Sequence, residues 1–192
     1  MSWVWLWCVV AAGLWFVMFY PGLPWRPNFW LGMAVAAGGL GLAGMVQSLR
    51  RNRDVFRFEW VHLVAGVFSA VVLYGVFWVG HDIARQLLPF EPAQVADIYS
   101  TRAEAQPWLI GVLLLVIIGP GEELFWRGYV QQTMMQRWQP WAAWLIAAAV
   151  YAAVHVWALN FMLFAAALIC GLFWGSMFWK YRSVWPGIVS HA

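Results

Sequence analysis

The sequence predicts an all-α protein, a polytopic transmembrane bundle of about seven helices with the last one incomplete. Three observations carry this reading. Hydrophobic residues make up 64% of the 192 positions and charged residues only 10%, more apolar side chain than one water-soluble core of this size encloses. The apolar residues gather into runs near the ~20 residues that cross a bilayer as a helix. Basic residues fall between those runs instead of forming a patch.

Taken in order, the apolar runs cover 3–20, 29–49, 60–80, 108 to the glutamate pair at 122–123, 138–157 and 159–179. A signal peptide at 3–20 is disfavoured, because the run has no basic leader and is followed by Pro21-Gly22-Leu23-Pro24 without a small-x-small cleavage site. The run 29–49 carries Gly32, Ala36, Gly39 and Ala43, with Gly38, Gly41 and Gly44 nearby, so backbones can approach closely there. Gly171 and Gly175 repeat that device in the sixth run. A seventh run starts near Val184 and reaches Ala192. At ~1.5 Å per residue it covers less than half of a ~30 Å core, so the helix is expected to continue past Ala192. Segment 81–106 reads differently, as one or two interfacial helices broken by Pro89 and Pro92 that cap the bundle or guide substrate, the cap being favoured. No repeat, linker or soluble domain interrupts the chain, and 1–192 reads as one integral-membrane domain.

The formal charge of +3 is no sign of nucleic-acid binding. Arg50, Arg51, Arg53 and Arg57 follow the second run, Arg127 and Arg137 the fourth, and Lys180 and Arg182 the sixth. Arg26, Arg85 and Arg102 fall on the other side among Asp82, Glu91, Asp97 and Glu104. The positive-inside rule then places the first set, and the N-terminus, in the cytoplasm. Most of the 17 Trp residues, including Trp25, Trp30, Trp60, Trp138, Trp179 and Trp185, read as interfacial anchors. Cys8 and Cys170 lie in apolar runs and read as packing residues.

Ionisable groups inside such a chain are costly and mark function by default. Glu122, Glu123 and Arg127 close the purely apolar run 109–118. On a helix Glu123 and Arg127 stand at i, i+4 and pair, while Glu122 is turned about 100° away, free to face the bundle as a general base. Tyr151 and His155 are likewise i, i+4, and His191 lies in the last run beside Ser190, a nucleophile candidate without support of its own. His62 and His81 sit at segment ends, where solvated or interfacial roles are expected. One carboxylate and two histidines leave two chemistries open, direct activation of a water or ligation of a catalytic zinc by Glu122, His155 and His191. No His-Glu-x-x-His and no Gly-x-Ser-x-Gly occurs.

The run Glu122-Glu123-x-x-x-Arg127-Gly128, the later Tyr151-x-x-x-His155, and Ser183-Val184-Trp185-Pro186-x-Ile188-x-x-His191 together resemble the CPBP intramembrane proteases. That family includes CAAX endopeptidases and bacterial bacteriocin-processing or immunity proteins, and the resemblance covers 108–192. It implies an endopeptidase acting on a membrane-associated peptide or protein in the bilayer, and the likeness to the bacterial members implies a bacterial inner membrane. Glu122 would activate a water that His155 helps to hold, Glu123 and Arg127 would support them, and His191 would stabilise the oxyanion with an Asn or Asp at position 195. Tyr151 stands where the family usually has Phe. A metal-free mechanism is the expectation, since the three candidate ligands lie on separate helices. The competing reading is a non-proteolytic immunity or scaffold protein in which these groups form only an interhelical network.

Overall fold

A computed structural model describes residues 2–191. Among them, besides short 3-10 helices at Arg53–Phe56 and Thr101–Glu104, eight helices follow one another: α1 (Ser2–Phe19), α2 (Phe29–Leu49), α3 (Trp60–Leu87), α4 (Glu91–Ser100), α5 (Pro107–Met135), α6 (Pro140–Ala158), α7 (Phe161–Tyr181) and α8 (Trp185–His191). Among the described residues there is no strand. By length and composition α2, α3, α5, α6 and α7 can each cross a membrane, and α1 is a shorter apolar helix. The protein is an integral, multi-pass helical bundle. Ala192 and the expected partner at position 195 lie outside the described residues.

Local chemistry sets the helix limits. Asn28 and Asn160 cap α2 and α7, each side chain accepting from the backbone N–H three residues on, of Leu31 and Leu163. Pro107 and Pro140 open α5 and α6, where a missing N–H costs nothing. Leu159 and Arg182 take left-handed backbone conformations that stop α6 and α7. His62, expected at a solvated end, is buried and accepts the Glu59 N–H at the start of α3.

Three sequence boundaries need correction. The third run does not end at Gly80 but continues to Leu87, stitched by a Gln86 to Asp82 hydrogen bond of 3.1 Å. The fourth does not stop at the glutamates but carries them in its middle, on to Met135. Pro92 does not break segment 81–106, because it sits in the first turn of α4, where proline is tolerated.

The connections gather at two ends. At one end Ser183 Oγ donates to the Arg57 carbonyl (3.1 Å), Val184 N to Val55 (3.0 Å) and Trp185 Nε1 to Phe56 (2.8 Å), which ties the α2–α3 and α7–α8 connections together. At the other end Asn28 Nδ2 donates to the Glu104 carbonyl (2.8 Å), Phe29 N to the Glu104 carboxylate (2.7 Å) and Trp30 Nε1 to Thr101 (2.8 Å). Asn160 Nδ2 reaches the Gln94 carbonyl there (2.9 Å), pinning α4 over the α6–α7 turn. Trp25 and Trp60 are exposed, as anchors require, whereas Trp30 and Trp185 spend their indole N–H groups on these ties.

Candidate active site

The site is built where α5 meets α2. Both helices carry glycine at the crossing: a Cβ on Gly121 would lie 2.5 Å from the Ala37 carbonyl oxygen, and one on Gly41 would lie 2.6 Å from the Gly121 Cα. This contact fixes the depth and rotation of Glu122, the next residue. Two stretches of α5, Leu114–Ile118 and Glu123–Gln131, are π-helical. Such turns collect at functional sites and re-aim the side chains around them.

Glu122 and Glu123 are both buried and do separate things. Tyr151 Oη donates to Glu122 Oε2 at 2.8 Å. Glu123 Oε1 accepts from Arg127 NH1 at 3.0 Å and lies 3.1 Å from His191 Nδ1. The spacing rule that pairs Arg127 with Glu123 therefore holds, even though the turn is π-helical. The guanidinium also donates to the Cys170 carbonyl at 3.3 Å and sits between two rings, 4.7 Å from Tyr151 and 5.3 Å from Trp174. His191 stacks on Trp174 with ring centroids 3.9 Å apart, and the Trp174 indole donates to Ser190 Oγ at 3.1 Å. Ser190 is thus a packing partner. Gly187 leaves the space that the Glu123 carboxylate fills, since a Cβ there would overlap Oε2.

His155 is held at both nitrogens. Nδ1 is 2.8 Å from the Tyr151 carbonyl, and Nε2 accepts from the Trp15 indole at 3.2 Å, so the proton resides on Nδ1. The indole thereby takes the acceptor that a bound water would use. Trp15 escapes sequence reasoning because it is one of 17 tryptophans and its partner is 140 positions away. Trp174 escapes likewise. Gly187, directly after Pro186 in the third motif, is the one missed residue whose position gave a signal.

A cavity of about 530 Å³ brings the three candidates together, with Glu122, His155 and His191 all in its lining. Ile110, Leu114, Ile118 and Glu122 line it at every fourth position of α5, so the cavity runs along that helix from near its start to the carboxylate. Arg26, Asp97, Arg102 and Glu104 line it at the α4 end. Among the described residues, Glu122 Oε1 makes no hydrogen bond to protein, which leaves that oxygen for another partner. Also among the described residues, no three His, Cys, Asp or Glu side chains come together as a metal ion requires.

Residues 104–192 match the family described as type II CAAX prenyl endopeptidase, Rce1-like. No curated protein and no solved structure matches the chain.

Proposed function

From the match of residues 104–192 to the Rce1-like family, we propose that the chain is an intramembrane endopeptidase that hydrolyses a peptide bond with a water activated by Glu122. The observation that carries the proposal is the convergence of Glu122, His155 and His191, from three separate helices, on one cavity. Glu122 Oε2 is occupied by Tyr151, so Oε1 takes the proton from water as the hydroxide adds to the peptide carbonyl. The same carboxyl group then returns that proton to the leaving amine as the C–N bond breaks. His191, a lining residue of the cavity with Nδ1 on Glu123, would donate from a protonated Nε2 to the oxyanion. Arg127 supports this through Glu123, and Trp15 and Tyr151 hold the ring of His155.

The mechanism we favour uses no metal. Zinc held by Glu122, His155 and His191 would need free ring nitrogens, yet both nitrogens of His155 and one of His191 already have protein partners. The residues as arranged do not fit that ion.

The test compares the peptide termini in membranes from cells lacking the chain, from cells with it restored, and from cells carrying Glu122→Gln. General-base catalysis is worth roughly 100- to 10,000-fold, so termini that return with the wild type should be absent with Glu122→Gln. If the variant restored every one of them, the immunity or scaffold reading would take its place, because glutamine keeps the volume and most hydrogen bonds of the network.

A further inference from the structure

The basic residues and the cavity lie at opposite ends of the bundle. The end formed by the α2–α3, α5–α6 and α7–α8 connections carries Arg50, Arg51, Arg53, Arg57, Arg137, Lys180 and Arg182, against Asp54 and Glu59. Trp5, near the start of α1, contacts Trp138 at this end, with ring centroids 6.4 Å apart. The other end carries three basic residues, Arg26, Arg85 and Arg102, among Asp82, Glu91, Asp97 and Glu104. Arg127 belongs to neither end, because it is buried and ion-paired inside the bundle. The Lys and Arg excess in short connections therefore assigns the first end to the cytoplasm. None of its basic residues lines the cavity, whereas Arg26, Asp97, Arg102 and Glu104 of the opposite end do.

We infer that the cavity opens to the non-cytoplasmic side of the bilayer, so that its substrate is an extended peptide segment entering from that side rather than a lipidated tail on the cytoplasmic leaflet. The chemistry rests on the endopeptidase reading above; the sidedness does not. Three features of the cavity narrow the substrate further. The lining of α5 runs over 12 residue steps from Ile110 to Glu122, at most about 18 Å at the α-helical ~1.5 Å per residue. An extended peptide at ~3.3 Å per residue covers that distance with five or six residues. Ile110, Leu114 and Ile118 present only hydrocarbon along the way, and the charged residues at the opening have both signs. The segment it takes is therefore about six residues long, mainly apolar, unfolded at the point of entry, and not selected by net charge.

Single cysteines in a Cys8→Ala, Cys170→Ala background decide the orientation. Ser100→Cys and Arg26→Cys report the opening, and Arg53→Cys reports the basic end; all three positions are exposed. With a membrane-impermeant maleimide on intact cells, Ser100→Cys and Arg26→Cys should react, and Arg53→Cys should react only after permeabilisation. The reverse pattern overturns the inference, as does failure of both opening positions to react from outside. A protein that labels as expected while Glu122→Gln restores all peptide termini sinks the endopeptidase reading and leaves the orientation standing. One that cleaves but labels in reverse sinks the orientation alone.

Discussion

Among the described residues, the hydroxyl of Tyr151 is the single polar contact between α6 and the proposed base, and its geometry separates the two oxygens of Glu122. A hydrogen bond to an ionised group is worth about 1.5–3 kcal/mol. Tyr151→Phe removes it while keeping the ring under the Arg127 guanidinium and against Trp126, whose centroid is 5.4 Å away. The variant should therefore fold and melt close to the wild type, yet turn over roughly tenfold more slowly, the equivalent of about 1.4 kcal/mol. Turnover and melting temperature measured on the same preparation check this; a large drop in melting temperature would instead mark the hydroxyl as a packing element. What the sequence reveals at this scale depends on distance along the chain. The Glu123–Arg127 pair is written in an i, i+4 spacing. The Tyr151–Glu122 and Trp15–His155 contacts join residues 29 and 140 positions apart, and no periodicity encodes how their helices cross.

Helices α2 and α5 touch through backbone at Gly41 and Gly121, so the position of the glutamates is set by two missing side chains. Overpacking of this kind usually costs about 1–3 kcal/mol, and here it falls on a carbonyl that no rotamer change can move aside. Gly121→Ala should lower the melting temperature in detergent and abolish turnover together. Gly39→Ala, two residues from Gly41, has open space around it and gains helix propensity, so it should be neutral or slightly stabilising. Equal effects of the two would show that close approach is not what the glycines provide. The glycine-rich pattern of 29–49 is legible as a packing face, because small residues at helical spacing have few other uses in a membrane. The π-helical turns of α5 are not, since the apolar run 109–118 and the motif after it suit an α-helix equally well. The end of α3 departs from its sequence expectation for a related reason: Gly80 has nothing within reach of a Cβ and does not break the helix, which Leu88, just before Pro89, closes.

Across the whole bundle, the buried ions act as a joint. Glu123 on α5 accepts from Arg127 of its own helix and meets His191 of α8, while Arg127 reaches the Cys170 carbonyl of α7. The alternation of basic and acidic connections, and hence the two ends, is legible in the order of residues alone, because it depends only on where the runs break. That one of those arginines lies inside the bundle is not, since its burial follows from the helix continuing through the motif to Met135. Breaking a buried pair by removing one partner typically costs about 3–5 kcal/mol, whereas removing both charges is often nearly neutral. Arg127→Ala should therefore lower both activity and thermal stability, as it leaves the buried Glu123 carboxylate without the guanidinium in a site where Oε2 already lacks a partner. The double variant Glu123→Gln, Arg127→Gln should recover much of the stability and none of the activity, because the glutamine at position 123 no longer offers His191 a charged carboxylate. Melting temperatures and turnover of the two single variants and the double variant form a cycle whose coupling energy measures the joint directly. Additive losses in stability, with no recovery in the double variant, would mean that Arg127 holds the helices through the rings of Tyr151 and Trp174 and not through its charge.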